Sequence, residues 1–254
     1  MEYPKLPAYG AGCQNSCARE ANEMEDLEKR IKQLGQWMFE ATNIVLLTGA
    51  GISSEPVPPE FRGTEGAWTG QAKEFPSKFR LFTSVEPNAG HQAIAELQDL
   101  GKLKFLITQN VDNLHLRSGI RPELLAELHG NVARLRCQQC QKQVAKSLGL
   151  EVCSCGGKLV SSVINFGDPL PQKDLEDSFW HSSQCDLFIV VGSSLVVGPA
   201  NELPEVALRG RARLVVINEG ETPVDSRCHL RFGESIEKVL PPAVRVLKEL
   251  MMKG

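Results

Sequence analysis

The chain has 254 residues, 42% of them hydrophobic, enough for one large core with a smaller satellite beside it. Its 28 lysines and arginines against 31 aspartates and glutamates give a formal charge of -3, so overall charge makes no case for nucleic acid or an anionic membrane. No apolar run approaches the ~20 residues of a membrane-spanning helix, and Met1-Glu2-Tyr3-Pro4-Lys5 lacks the charged-then-apolar order of a secretory leader, which predicts an intracellular, cytoplasmic protein with the nucleus as the alternative compartment.

In chain order, residues 1 to 22 carry Pro4, Pro7, Gly10 and Gly12 and read as an irregular arm, with Cys13 and Cys17 as bystander thiols. From Glu23, the apolar positions Met24, Leu27, Ile31, Leu34 and Met38 recur at three- and four-residue steps, as in an amphipathic helix covering a first strand. That strand, Ile44 to Leu47, runs into Thr48-Gly49-Ala50-Gly51-Ile52-Ser53-Ser54-Glu55. Two glycines one residue apart bring backbone close to something, and Ile52-Ser53-Ser54 reads as a helix start that favours an anion. The third glycine of G-x-G-x-x-G is replaced by Ser54, so this is half of a dinucleotide signature, and alone it serves either a nucleotide or a tight turn.

Pro56, Pro58 and Pro59 then make a stiff extended arm ending at Phe61-Arg62-Gly63, and residues 64 to 84 lack clean periodicity and read as a flap. Pro87-Asn88 starts a helix bearing His91, Ile94, Leu97 and Leu100, stopped by Gly101. The strand Lys104 to Ile107 ends in Thr108-Gln109-Asn110-Val111-Asp112-Asn113, a row of polar groups that is costly in a core and cheap in a ligand cleft, although Asp112 also suits a helix N-cap. Glu127-Leu128-His129-Gly130 follows another short apolar run.

Of eight cysteines, four fall in two close pairs, Cys137/Cys140 and Cys153/Cys155, twelve residues apart. In a reducing compartment this is a closed four-thiolate zinc site on two turns, structural because no coordination position stays open. Beyond it, the apolar strands Leu187 to Val191 and Leu214 to Ile217 end in Gly192-Ser193-Ser194 and Asn218-Glu219-Gly220. Four strands with polar carboxyl ends imply a parallel sheet buried on both faces, with ligands outside those ends. The stretch from Pro241-Pro242 through Val244, Leu247, Leu250 and Met251 reads as a closing amphipathic helix.

Taken together, Gly49-Ala50-Gly51-Ile52-Ser53, Phe61-Arg62-Gly63, Thr108-Gln109-Asn110-Val111-Asp112, Leu128-His129-Gly130, the four cysteines, Phe166-Gly167-Asp168, Gly192-Ser193-Ser194-Leu195, Pro199-Ala200 and Ile217-Asn218 resemble the sirtuin family of NAD-dependent protein lysine deacylases. The resemblance runs from about Asn43 to Leu240. It implies an α/β fold, with a Rossmann-like parallel-sheet domain built from 1–62, 85–131 and 163–254, and a small domain of helical flap and zinc ribbon from 63–84 and 132–162. It further implies NAD as a consumed co-substrate, acylated protein lysines as partners, and release of nicotinamide and O-acyl-ADP-ribose.

On this resemblance the acyl-lysine carbonyl oxygen attacks the nicotinamide ribose, and the ribose hydroxyl then attacks the acyl carbon with His129 as general base. Asn110 orients ribose and water, Asp112 holds the nicotinamide pocket, and Phe61 shields the reactive face. Arg62 and the N–H groups at Ala50, Gly51, Ser193 and Ser194 place ribose and phosphates, Asn218 and Ser235 border the adenosine, and Gly49, Gln109, Gly192 and Glu219 complete the cofactor-binding set. Val163, Ile164, Phe166 and Gly167, opposite Leu195 and Val196, form two edges between which a substrate segment adds as a strand. Three departures from the family pattern stand out. Val57-Pro58-Pro59-Glu60 replaces Gly-Ile-Pro-Asp, Asn165 takes an often aromatic position, and 64–84 lacks the tyrosine of desuccinylating members. Acetyl or longer neutral acyl groups are therefore expected. Protein mono-ADP-ribosyl transfer and a non-catalytic NAD- or ADP-ribose-sensing role remain as alternatives.

Overall fold

The computed structural model describes residues 12–53, 85–165 and 167–253, with side chains from residue 23 onward. Its order is α1 (Gly12–Glu40), β1 (Ile44–Thr48), α2 (Ala89–Asp99), β2 (Leu103–Thr108), α3 (Leu114–Arg117), β3 (Leu125–Glu127), β4 (Arg134–Cys137), β5 (Gln143–Ala145), β6 (Leu159–Ser161), α4 (Gln172–Gln184), β7 (Leu187–Val191), α5 (Leu203–Arg209), β8 (Arg213–Ile217), β9 (Leu230–Phe232) and α6 (Ile236–Lys253). The larger sheet is six-stranded, in the order β3-β2-β1-β7-β8-β9, and every pairing in it is parallel.

Parallel strands bury both faces, and the apolar runs obey this with a period of two. Ile44 and Leu46 of β1, Leu187, Ile189 and Val191 of β7, and Val215 and Ile217 of β8 point to the layer of α1, α2 and α6. Val45 and Leu47, Phe188 and Val190, and Leu214 and Val216 point to the layer of α4 and α5. A smaller antiparallel sheet, β5-β4-β6, has a core of little more than Cys137, Cys153 and Leu159.

Three expectations need correction. The stretch expected as an irregular arm is helical from Gly12, because after Pro7 no proline interrupts a run that includes Ala18, Arg19, Glu20 and Ala21. The closing helix begins at Ile236 and carries Pro241 and Pro242 inside it. Each proline costs about 3 kcal/mol through a lost backbone bond. Ile236, Val239, Leu240, Val244 and Leu247 bury one stripe, and at roughly 1.5–3 kcal/mol per side chain that burial outweighs both breaks. Six strands also replace the four read from the apolar runs, since β3 and β9 are only three residues long.

Candidate active site

The chain builds β1, β2 and β3 in one direction, then returns past β1 to lay down β7, β8 and β9 in the other. The strand order therefore reverses between β1 and β7. At such a reversal the connections leave in opposite directions and open a crevice outside the carboxyl ends. Both Gly-rich turns lie there, one following Thr48 and the other following Val191, and these two strand-end residues are register partners.

The two turns are locked together. Gly49 N–H donates to the Val191 carbonyl at 3.0 Å, and Gly51 N–H donates to the Gly192 carbonyl at 2.8 Å. This corrects the expectation that Gly51 offers its N–H to a ligand, because that donor is already committed. Its glycine character serves close approach: a Cβ on Gly51 would lie 2.8 Å from Gly192 Cα. By contrast, the N–H groups of Ala50, Ser193 and Ser194 find no acceptor among the described residues. Ala50–Ile52 is a single 3-10 turn rather than a helix start. Asn88, capping α2 through its side-chain oxygen, also donates Nδ2 to the Ile52 carbonyl at 2.7 Å and so ties this turn to the helix.

On the other side of β1, β2 ends in Thr108, whose Oγ1 accepts from Asn110 N–H at 3.0 Å. That bond turns the chain so that the Asn110 carboxamide Nδ2 is buried with no partner among the described residues. Asp112 acts twice: Oδ1 accepts from Leu114 N–H and Oδ2 from Ser53 Oγ, both at 2.9 Å. The N-cap of α3 is Asn113, not Asp112 as expected; Asp112 lies one residue before it and closes a turn onto the first helical N–H, while its second bond joins the loop to the glycine turn. Gln109 is largely engaged: its Oε1 accepts from Ser193 Oγ at 2.6 Å, and its carbonyl faces His129 Nδ1 at 2.8 Å.

That last contact fixes the chemistry of His129. A carbonyl only accepts, so Nδ1 carries the hydrogen and Nε2 carries the lone pair. His129 is 8% exposed, and burial holds its imidazole below the ordinary range, partly opposed by the Gln109 carbonyl. It is therefore a neutral base at neutral pH. Two residues earlier, Glu127 is buried too, and burial raises its carboxyl to about 7 against the opposing pull of Asn131 and Arg134.

Two further imidazoles, His91 and His115, pack against Asn88 and Thr48. His91 and His115 are buried with ring centroids 5.0 Å apart. His91 Nδ1 faces Asn88 Oδ1 at 2.8 Å, and His115 Nε2 faces Thr48 Oγ1 at 2.9 Å. Burial drives His115 down to about 3, helped by His91, so it stays uncharged. Neither ring was singled out as a site residue from sequence, nor were Thr48, Thr108 and Ser53. The available signal for the two threonines was a hydroxyl at the end of β1 and of β2.

Asn218 and Glu219 follow β8 at the same end of the sheet, and Ser235 precedes α6. Asn218 Nδ2 donates to the Gly220 carbonyl at 2.8 Å. On the expected peptide edges, Ile164 is buried and its N–H donates to the His129 carbonyl at 3.0 Å, so it braces the imidazole and offers no N–H to a peptide. Val163 is half-buried, Gly167 is exposed, and Val196 is 70% exposed. Leu195 is buried with φ 55, which forces a sharp bend after Ser194. Phe61, Arg62 and Phe166, the 55–60 arm and the flap lie outside the described residues.

On the small sheet, the Sγ atoms of Cys137, Cys140, Cys153 and Cys155 lie within 4.8 Å of one another. Cys137–Cys155 and Cys140–Cys153 are separated by 3.5 and 3.7 Å. Four sulfurs 2.3 Å from one ion in a tetrahedron stand ~3.8 Å apart, so the donor set and its spacing fit zinc. C-x-C proves as workable as C-x-x-C. In the crevice, three uncommitted N–H donors, an orphaned amide and glycines packed backbone to backbone fit a ligand bearing phosphates and ribose.

A switch-point crevice beside a neutral histidine, together with a four-thiolate ribbon, defines an α/β nucleotide-binding fold with a structural metal site. The Sir2 family model matches residues 73–199, half of the chain. An NAD-dependent protein deacylase 2 from Archaeoglobus fulgidus is 36% identical over 251 residues, covering 88% of this chain and 98% of the relative. The NAD-dependent protein deacetylase SRT1 of Oryza sativa is 36% identical over 230 residues, 85% of this chain, which spans only 48% of that plant protein. A solved Sir2 protein bound to a myristoylated histone peptide superposes with a TM-score of 0.68 at 33% identity, over 89% of this chain and 100% of that one. The chain belongs to the Sir2 family.

Proposed function

We propose that the chain is an NAD-dependent protein lysine deacylase acting on acetyl or longer neutral acyl groups, with a structural zinc on the small sheet. The observation that carries this reading is the His129 tautomer. With Nδ1–H spent on the Gln109 carbonyl at 2.8 Å, Nε2 is left as the basic nitrogen, within the family's Leu128-His129-Gly130 pattern. NAD in the crevice would supply an anomeric carbon with nicotinamide as leaving group and a neighbouring ribose hydroxyl as acyl acceptor.

His129 Nε2 takes the proton of that hydroxyl. The buried, unpartnered Asn110 Nδ2 donates to the ribose. Ala50, Ser193 and Ser194 offer backbone N–H groups to the phosphates, while Gly49, Gly51 and Gly192 keep the two turns close enough to converge. Asp112 holds the nicotinamide side through Ser53. Asn218, Glu219 and Ser235 border the adenosine. The family pattern assigns Phe61, Arg62 and Phe166 to the same site; they lie outside the described residues. Val163, Gly167 and Val196 line the path of an acylated peptide, with Leu195 and Ile164 packed behind. The division into a nucleotide domain (1–62, 85–131, 163–254) and a small domain (63–84, 132–162) gives the site its two walls, and Cys137, Cys140, Cys153 and Cys155 hold zinc in the second.

The test is release of nicotinamide and of free lysine from acetyl-, longer neutral acyl- and succinyl-lysine peptides. The wild type should turn over the neutral peptides, and His129→Ala should cut lysine release about 10²–10⁴-fold, as loss of a general base does. Turnover confined to succinyl-lysine would overturn the acyl assignment. Unchanged activity in His129→Ala would overturn the mechanism.

A further inference from the structure

Asn131, two residues beyond the base, is fully buried, and its side chain has no freedom left. Oδ1 accepts from Ala133 N–H at 2.8 Å, which fixes which end of the amide is oxygen. Nδ2 then donates both to Asn113 Oδ1 at 2.8 Å and to Glu127 Oε1. Asn113 sits at φ 69, a left-handed conformation that an L-residue holds at a cost of roughly 1–2 kcal/mol. Its neighbour Asp112 carries the bond to Ser53.

The Asn131 backbone works in the opposite direction. Its N–H donates to Ser162 Oγ at 3.1 Å, and Ser162 Oγ donates to its carbonyl at 2.7 Å. Val132 N–H reaches the Val111 carbonyl at 2.9 Å. The Asn131 side chain and the Val132 N–H therefore brace the 110–113 loop, and the Asn131 backbone braces Ser162.

We propose that Asn131 is a positioning residue whose carboxamide sets the Asn110–Asn113 loop against the His129 turn, so that changing it impairs use of NAD while leaving use of the acylated peptide intact. The inference rests on the deacylase reading given above. Asn131→Asp keeps the size and the acceptor for Ala133 N–H but, in assays at pH 8 where Glu127 is ionised, sets a carboxylate against Glu127. Adding Glu127→Gln reverses the pair, because the amide introduced at position 127 can donate to the new carboxylate and Asn113 can turn its own amide over.

The experiment is steady-state kinetics of wild type, Asn131→Asp, Asn131→Asp/Glu127→Gln and Asn113→Gly, varying each substrate with the other saturating, alongside thermal melting. Asn131→Asp should lower kcat/KM for NAD about tenfold to hundredfold, in line with small misplacements of reacting groups, with KM for the peptide within about twofold. The double variant should recover most of the loss. Asn113→Gly is the informative partner should Asn131→Asp not fold. Glycine relieves the left-handed strain yet removes the tie to Asn131, so positioning predicts weaker NAD use in a chain at least as stable. The proposal is overturned by unchanged NAD kinetics in folded Asn131→Asp, by NAD and peptide parameters falling together with the melting temperature, or by Asn113→Gly with wild-type NAD kinetics. A wild type that never releases nicotinamide would instead sink the deacylase reading itself.

Discussion

Glu127 and His129 share one burial problem with opposite consequences. Both lose solvation, and each is pushed toward its neutral form, His129 downward and Glu127 up to about 7. In the unfolded chain the Glu127 carboxyl ionises near 4.5, whereas in the fold it keeps its proton until about 7, so the folded state is favoured in acid and loses that advantage as pH rises between these values. The difference amounts to about 3 kcal/mol above pH 7. Glu127→Gln keeps the acceptor for Asn131 without the charge. Denaturant unfolding should find this variant more stable than wild type by about 2–3 kcal/mol at pH 8 and equal to it at pH 4, a gap set by the linkage. A wild type more stable than the variant at pH 8 would show that Asn131 and Arg134 overcome the burial penalty.

At this scale the sequence was readable where side-chain type announced the task. His129, Asn110 and Asp112 stand out as polar groups at the ends of apolar runs. Asn131 did not, because a residue that acts through another carries no compositional mark, and at Thr48 and Thr108 the only mark was a hydroxyl closing the strand. Gly51 was misassigned as a donor for a related reason. Its N–H is consumed by the Gly192 carbonyl, a partner roughly 140 residues away that no local pattern reveals.

At the scale of elements, the turns after β1 and β7 form one unit. Gly192 has φ 66, and a Cβ there would lie 2.4 Å from Ile52 N and 2.5 Å from Gly51 C. Those are backbone atoms, and they cannot yield without moving the whole turn. Gly192→Ala should therefore destabilise the chain by more than the ~1 kcal/mol of a left-handed alanine and cost at least tenfold in NAD affinity. Calorimetric titration together with a melting curve reads both effects, and wild-type affinity in this variant would separate the two turns functionally. The apolar strands β1, β2, β7 and β8 were legible because a parallel sheet demands uninterrupted apolar runs. The three-residue strands β3 and β9 are too short to show a period. α6 was read as starting late because its prolines argue against a helix that only tertiary burial sustains.

Across the whole molecule, two sheets of unequal size do unequal work. The larger has both faces covered and stands on its own packing. The smaller has a core of three residues, two of them cysteines, and so depends on metal ligation. The cysteine spacing made this half legible, whereas residues 54–84, rich in proline and aromatics, gave no period to read and fall outside the described residues. On the deacylase reading, what makes the assembly catalytic is convergence at the reversal between β1 and β7, with one neutral imidazole beside it.

The most direct measurement of that claim follows ADP-ribose-labelled NAD through a single turnover with an acetyl-lysine peptide. The account predicts that all released label appears as O-acetyl-ADP-ribose, one equivalent for each nicotinamide and each free lysine. Label fixed on protein without O-acetyl-ADP-ribose, or no cleavage of NAD at all, would contradict it.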